Sequence, residues 1–573
     1  MYKANKRHLQ PLLISTVNDL PEKLRRRLEQ SWAGVFYRET FCRIREELFK
    51  PLYADIPSRP NVPVNVLVGL ELLKEQFGWS DEELYDHFSF DLQVRYALGY
   101  QSLKEGEFEI RTLYYFRERL GRYYLQTQIN PLAQLFEELT DQQIKAYQIK
   151  TRMQRMDSTQ VLSNIVGGSR LRLLVEALQR LHRVLSEADR ARYAELLAPY
   201  VEKSAGQYSY RVKGKEAIDE HLLRIGAVLQ QLVVELAEGY PDEPVFQMLQ
   251  RLFEDHYTLV EGSAKLKLET ELNSACLQSV DDLEATFRRK GPASYKGYVA
   301  NLAETCDPAN EVQLITSVQV APNNQEDAQL LAEALPDLKQ RTNLEELFTD
   351  GGFGSPAVDQ LCQTAGVDQF QTAIRGHTPS PDKLSLAEFT FVFNDQDRPE
   401  QVTCPHGQTV AVLPGRTTGF LTSFDARICQ TCPFQSTCPA KPLKRQPAFR
   451  LYLTLKQIHW ARRRRRSLER LQDGKNPRAA VEACVRSLKH PFRHSQAPVR
   501  GLFRVTCLVL ASAIMVNTRR IHRYLTQKRK DEDEKSTQQG QTASFLLPVW
   551  KTILAWFVPF RLAFWPNCTY FSF

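Results

Sequence analysis

Strand and helix patterns alternate along the chain between Arg152 and Gly376, and one long helical stretch interrupts them. Strand patterns end in polar or glycine-rich turns, and the helix patterns between them repeat apolar residues at helical spacing. The interruption, at about 169–287, is rich in charges of both signs. This arrangement predicts a mixed α/β core with one helical insertion, and places the first part of that core at 150–387.

Helical patterns dominate residues 1–125. Apolar residues recur at helical spacing in VNVLVGLELLKEQF, and Ser80 with Glu83 forms a capping-box pattern. The segment RTLYYFRERL places three arginines among aromatic residues. Short helices of this kind predict either a DNA-binding module of the helix-turn-helix type or a helical bundle with an ordinary basic surface.

The pattern changes twice beyond the core. Short strand patterns surround a group of cysteines at 388–456, and basic helices follow at 457–527. The last of these helices is apolar on most sides, so it is expected to pack on the core. At 528–573 the low-complexity sequence KRKDEDEKSTQQGQT predicts a charged linker, and the apolar tail after it has no assigned role.

Charge is distributed unevenly. The net charge is +8, yet Lys441–Lys530 alone contains 24 Lys and Arg against three acids. The rest of the chain is therefore acidic. Such asymmetry favours a polyanionic partner, with nucleic acid ahead of an anionic membrane surface.

The composition excludes several classes of protein. Hydrophobic residues make up 43% and charged residues 25% of the chain, which excludes a collagen-like or wholly disordered protein. No run of eighteen apolar residues and no secretion signal is present, so a cytoplasmic location without a membrane partner is expected. The absence of a GxxxxGK[ST] loop argues against the use of ATP.

Three carboxylates stand out. Asp157 and Asp350 each follow a strand pattern, and Glu482 is the only acid on a basic helix that begins at Pro477. On that helix Arg478, Glu482 and Lys489 would lie within about 40° of one another. Taken singly, the aspartates are ordinary turn formers and the glutamate forms a salt bridge; taken together, three carboxylates can hold two divalent cations for phosphodiester chemistry.

In its order of motifs, the chain resembles bacterial insertion-sequence transposases with a ribonuclease-H-like DDE catalytic domain. The resemblance runs from about Arg59 to Tyr524. It is carried by VNVLVGLELLKEQFGWSDEELYDHFSFDLQVRYALG, RMDSTQVLSNI, LFTDGGFGSP and a stretch similar to the Y-x2-R-x3-E-x6-K signature. In the last of these, Lys475 stands where the family has tyrosine.

This resemblance implies DNA cleavage at the ends of a mobile element and strand transfer into target DNA. Asp157, Asp350 and Glu482 would be the catalytic residues and would hold Mg²⁺ or Mn²⁺, while Arg478 and Lys489 would grip DNA phosphates. Terminal repeats and target DNA would be the partners, and a homodimer is expected in the synaptic complex. A nuclease without joining activity and an inactive or domesticated DNA-binding relative remain as alternatives.

The cysteines between the second aspartate and the glutamate follow C-x24-C-x2-C-x5-C, with His406 close by as a substitute. Four thiols suffice for a closed structural zinc site, and reduced cysteines that merely pack are the alternative. The residues are Cys404, Cys429, Cys432 and Cys438.

Five consecutive arginines precede the glutamate helix. A run of charge is usually a solvated face, but its position inside the basic segment favours DNA phosphate binding here. The neighbouring His459 and Trp460 fit ordinary packing better than base stacking. The arginines are Arg462, Arg463, Arg464, Arg465 and Arg466.

Overall fold

The computed structural model describes residues 2–562, apart from 11, 13, 55–60, 104, 373, 375–381, 395, 397, 416–418 and 471–476. Side chains are described as far as Lys535, with the exception of Ala479.

A helical bundle forms the N-terminal part of the chain. Its third helix is almost fully buried because apolar residues cover most of its surface. The predicted capping box is confirmed: the Ser80 hydroxyl accepts from the backbone N–H of Glu83, whose carboxylate accepts from the N–H of Ser80. The helices are α1 (Glu22–Gln30), α2 (Trp32–Glu39), α3 (Val64–Phe77), α4 (Asp81–Phe90), α5 (Leu92–Ala97), α6 (Arg111–Thr127) and α7 (Pro131–Ala146).

The mixed α/β core follows, and its first strand is β1 (Met153–Leu162). An insertion separates β1 from the rest of the sheet. Its helices are α8 (Arg170–Val184), α9 (Glu187–Arg192), α10 (Ala194–Val201), α11 (Ala205–Arg211), α12 (Lys215–Glu235) and α13 (Pro244–His256), and they enclose a hydrophobic cluster of their own.

The helical stretch predicted at about 169–287 is too long, because the last α-helix of the insertion ends at His256. A hairpin of β2 (Tyr257–Val260) and β3 (Ser263–Leu266) follows α13. Its two-residue turn, Glu261 and Gly262, has positive φ at both positions, which is the geometry that a tight hairpin favours.

The remaining strands of the core are β4 (Thr286–Lys290), β5 (Ala293–Thr305), β6 (Ile315–Pro322), β7 (Glu346–Asp350) and β8 (Asp368–Thr372). Strand β5 pairs antiparallel with β1, β4 and β6, whereas β7 pairs parallel with β1 and β8. Helix α14 (Asp327–Arg341) connects β6 to β7, and α15 (Pro356–Ala365) connects β7 to β8. The mixed α/β core expected from the sequence is confirmed.

A small β unit contains the cysteines. In it β10 lies between β9 and β11, and β13 and β15 are central in a second sheet. The elements are β9 (Thr390–Phe393), β10 (Pro399–Thr403), β11 (Thr409–Ala411), β12 (Leu413–Pro414), β13 (Phe420–Asp425), α16 (Ala426–Gln430), β14 (Lys441–Pro442) and β15 (Ala448–Leu453).

The basic segment forms α17 (Leu455–Arg470), a 3₁₀ turn at Pro477–Ala480, α18 (Val481–Leu488) and α19 (Leu502–Leu562). As expected, α19 packs on the core, and its apolar side chains join the N-terminal helices and the sheet in one hydrophobic cluster. The stretch 528–542, for which a linker is predicted, is helical and lies within α19. Lys, Arg, Glu and Gln dominate that stretch and are good helix formers.

Among the described residues, one helical segment, Leu502–Lys535, is long and apolar enough to cross a membrane. However, 67% of its most apolar window is buried inside the protein, as in the core helix of a soluble domain.

Candidate active site

Asp157 and Asp350 lie on neighbouring strands at the same level. Asp157 lies within β1 rather than at its end, where the sequence pattern placed it, because pairing with β5 extends the strand to Leu162. Asp350 ends β7, as predicted, and its carboxylate accepts from the N–H of Gly352 at 2.7 Å. Since β1 and β7 pair in parallel and Arg155 pairs with Phe348, each aspartate lies two residues beyond that pair on its own strand.

The guanidinium of Arg478 lies between the two carboxylates. Its Nη2 donates to Asp157 Oδ2 at 3.1 Å and lies 4.0 Å from Asp350 Oδ2. Burial raises the pKa of Asp157, the Arg478 charge opposes that rise, and the negative charge of Asp350 adds to it. The pair is therefore a crowded anionic site in which one cation provides charge compensation.

Glu482 lies in the first turn of α18 and is exposed. The predicted common face of Arg478, Glu482 and Lys489 does not form as expected, because α18 begins only at Val481 and Arg478 belongs to the preceding 3₁₀ turn. The salt bridge weighed for Glu482 is absent among the described side chains. Within the described residues, no three Cys, His, Asp or Glu side chains are grouped closely enough to hold a metal ion.

Two lysines influence each other in this part of the fold, and one of them acts on Asp157. Burial lowers the pKa of Lys489, and the neighbouring charge of Lys290 lowers it further. The charge of Lys290, which ends β4, also acts on Asp157. Lys290 was missed at the sequence level because it lies far from the other site residues along the chain.

The five arginines of α17 have different environments. Arg463 is buried and donates to both carboxylate oxygens of Asp359 on α15, with distances of 2.7 to 3.1 Å. Arg465 pairs with Glu469 at 2.9 Å, and Arg462 lies over the ring of Phe393. Arg464 is partly buried, and Arg466 is exposed.

His459 and Trp460 precede these arginines in α17, and the first is buried while the second is partly buried. His459 is only 3% exposed, which agrees with ordinary packing. Trp460 is partly buried beside Lys456. Lys475, at the family's tyrosine position, lies outside the described residues.

The four cysteines of the β unit, all of them described residues, influence one another electrostatically, but in this arrangement they do not form a group close enough to hold a metal ion. Burial raises the pKa of the Cys429 thiol, the hydrogen bond from Gln408 opposes that rise, and the charges of Cys438, Cys404 and Cys432 add to it. Two tight turns present three of them: the Gly407 N–H donates to the Cys404 carbonyl, and the Cys432 N–H donates to the Cys429 carbonyl. All four are free thiols.

Two family models match the chain. A model described as "Transposase DDE domain" matches residues 403–522, and one described as "Transposase domain (DUF772)" matches residues 33–119. Together they support an insertion-sequence transposase of the DDE class. No curated protein matches the chain.

The matched segments cover only part of the site. Residues 403–522 include Glu482, Arg478, Lys489, the arginine run and the four cysteines. Asp157 and Asp350 lie outside both matches. The transposase family implies that DNA is the class of substrate and that the metal is a divalent cation.

Sequence reasoning also missed an ion pair beneath the site of the transposase. Arg155 on β1 and Glu304 on β5 are direct cross-strand partners, with Arg155 Nε 2.7 Å from Glu304 Oε1. Each is a charged residue in an otherwise buried strand, and that pattern was a signal that could have identified them.

Proposed function

We propose that this transposase binds the terminal repeats of its element and catalyses metal-dependent DNA cleavage and strand transfer. One observation carries the proposal: two aspartates from distant parts of the chain lie on adjacent strands and contact the same guanidinium. Buried carboxylates of like charge are costly unless a cation is bound between them. Paired carboxylates of this kind can hold the divalent cations that assist phosphodiester cleavage.

The core is proposed to be ribonuclease-H-like. In support, its three antiparallel strands, β6, β5 and β1, are followed by the parallel strands β7 and β8, with helices in the connections. The same proposal assigns 1–125 to DNA binding, 388–456 to an insertion in the catalytic core, and 457–527 to the C-terminal part of that core.

The donor set fits a hard divalent cation. Asp157 and Asp350 offer carboxylate oxygens, which Mg²⁺ and Mn²⁺ prefer, and Glu482 is the proposed third ligand because α18 packs against β1. When bound, such ions activate the attacking oxygen and stabilise the leaving oxygen of the phosphodiester.

The cations around the carboxylates would orient the DNA. Arg478 and Lys290 act on Asp157, and Lys489 adds positive charge next to Lys290, so these cations would attract and position a phosphate without reading bases. The exposed arginines of α17 would extend this contact along the backbone. Pairing of two element ends calls for a homodimer in the synaptic complex.

The test is a cleavage and strand-transfer assay with Mg²⁺ on the element's own ends, with wild type, Asp157→Asn and Glu482→Gln compared. We expect both variants to lose cleavage and joining at least 100-fold while DNA binding is kept. Glu469→Gln is the matched control, since it removes an acid from the same basic segment outside the site. Full activity of Glu482→Gln would remove the glutamate from the proposed set of ligands.

Two further outcomes separate the alternatives. Cleavage without joining, when DNA with a 3′-hydroxyl end is supplied, would identify a nuclease. DNA binding without cleavage by the wild type would identify an inactive relative.

We also propose a structural zinc ion at Cys404, Cys429, Cys432 and Cys438. The electrostatic influence of Cys404, Cys432 and Cys438 on Cys429, and the two tight turns that carry three of these residues, support it, because thiolates are the preferred ligands of structural zinc. Metal analysis of the purified protein should find one zinc per chain and none in Cys429→Ser. Equal zinc content in both would leave the thiols as packing residues.

A further inference from the structure

A buried ion-pair network lies beneath the candidate site. Glu304 on β5 is fully buried, and its two carboxylate oxygens lie 2.7 Å from Arg155 Nε and 2.7 Å from Arg520 Nη1. Arg155 belongs to β1 and Arg520 to α19. The network therefore joins two strands of the core to the helix that packs behind them.

The same network reaches the backbone that carries the site. Arg155 Nη1 donates to the Pro477 carbonyl at 2.7 Å, and Arg478 is the next residue. The Pro477–Ala480 turn leads directly into α18, whose Cys484 is buried beside Glu304 and Arg520. Arg155 thus holds the start of the segment that presents both Arg478 and Glu482.

We propose that Arg155 is a positioning residue of this active site. Held by Glu304 and Arg520, it fixes the Pro477 turn so that Arg478 contacts Asp157 and Asp350. The inference rests on the proposed function, because it assigns a role toward the same site.

The geometry requires a guanidinium at this position. Arg155 uses separate nitrogens for the Glu304 carboxylate and for the Pro477 carbonyl, and their directions are set by the planar fork. A lysine would keep the charge, but its single ammonium group would not hold both partners in this geometry. A lysine at position 155 would therefore preserve the ion pair with Glu304 but would no longer hold the Pro477 turn.

Hydrogen exchange of the full chain tests the inference without any need for cleavage. In Arg155→Lys, the amides of the segment 477–488, which start at Arg478 because proline has no N–H, should exchange about tenfold faster than in wild type, because the Pro477 carbonyl loses its buried donor. Arg341→Lys is the matched control: Arg341 is similarly buried, pairs with Asp141 at 2.8 Å and donates to the Thr316 carbonyl. It should leave the exchange of 477–488 unchanged.

A double-mutant cycle tests whether Arg155 acts through Arg478. Arg155→Lys alone should slow cleavage about 100-fold, but only a few-fold when Arg478→Gln is already present. Arg341→Lys should combine with Arg478→Gln additively. If Arg155→Lys does not fold, Glu304→Gln is used in its place. We expect the same faster exchange and the same non-additive loss of cleavage.

The outcomes separate the two proposals. Unchanged exchange at 477–488, or additive losses in the cycle, would overturn the positioning role. Absence of cleavage in the wild type, together with faster exchange in Arg155→Lys, would overturn the proposed function and leave the structural part of the inference standing.

Discussion

At the scale of single residues, the candidate site is defined by how two carboxylates share one cation. The side chain of Asp157 is 13% exposed and that of Asp350 is 33% exposed, so water stabilises the negative charge of Asp157 less than that of Asp350. Arg478 lies closer to the less exposed aspartate. The burial of Asp157 and its repulsion by Asp350 both favour the protonated form, and Arg478 opposes them.

Removal of that cation should therefore shift the pH dependence of cleavage. In Arg478→Gln the pKa of Asp157 should rise further, so a higher pH is needed to ionise it and the acid limb of the pH–rate profile should move upward. Rates measured across pH 5 to 8 check this. Arg486→Gln, which replaces an exposed arginine of the adjoining α18, is the control and should keep the wild-type profile.

His256 provides a test of stability in the insertion. It is 4% exposed, and burial, followed by the charges of Arg170 and Lys267, lowers its pKa to about 3. The folded state therefore keeps His256 neutral while the unfolded chain takes up a proton below about pH 6.5. The stability from this group is present above pH 6.5 and is lost as the pH falls toward 3.

Replacement of His256 by leucine should flatten this dependence. Between pH 7 and pH 5 the wild type should lose about 2 kcal/mol more free energy of unfolding than His256→Leu, as measured by urea unfolding. The exposed His490→Asn should behave as wild type. An equal loss in all three proteins would show that His256 is protonated in the fold.

At the scale of elements, α17 divides its arginines between the protein and the surface. Arg463 holds α15 through Asp359, whereas Arg466 is exposed. The helix can therefore serve packing and DNA binding on different faces. The uniform run of arginine in the sequence conceals this division.

The division predicts opposite effects of two similar substitutions. Arg466→Gln should weaken DNA binding and reduce the slope of log affinity against log salt by about 1, with stability unchanged. Arg463→Gln should lower the free energy of unfolding by about 3 kcal/mol, because Asp359 loses its partner. Salt-dependent binding and urea unfolding of both variants check this, and the reverse pattern would contradict it.

At the scale of the whole molecule, α19 joins the N-terminal bundle and the sheet, while the insertion has its own core. The apolar side chains of α19 share one hydrophobic cluster with α3, α7 and β5. The two ends of the insertion lie close together. The Ser163 hydroxyl, before the insertion, donates to the Asp282 carboxylate, after it, and this carboxylate also accepts from Tyr298.

The insertion should therefore be removable. Replacement of residues 166–279 by a short Gly/Ser linker keeps Ser163 and Asp282, and we expect a folded protein because the core sheet and the α19 cluster remain. Circular dichroism and thermal unfolding check this. Loss of the cooperative transition would show that the core depends on the insertion.

The local sequence determined those features that depend on neighbours along the chain. The capping box at Ser80, the position of Asp350 at a strand end, the alternation of strands and helices in the core and the apolar character of α19 follow from residue spacing. Hydrophobic periodicity and capping act over a few residues, so a single sequence expresses them directly.

Only the tertiary structure decided the features that join distant segments. The extension of β1 past Asp157, the contact of Arg478 with both aspartates and the Arg155–Glu304 pair depend on strand register and on how the Pro477 turn packs. Contacts between segments far apart in the chain are set by global packing, which leaves no local pattern. The sequence therefore identified the chemical groups of this transposase, and the fold determined which of them meet.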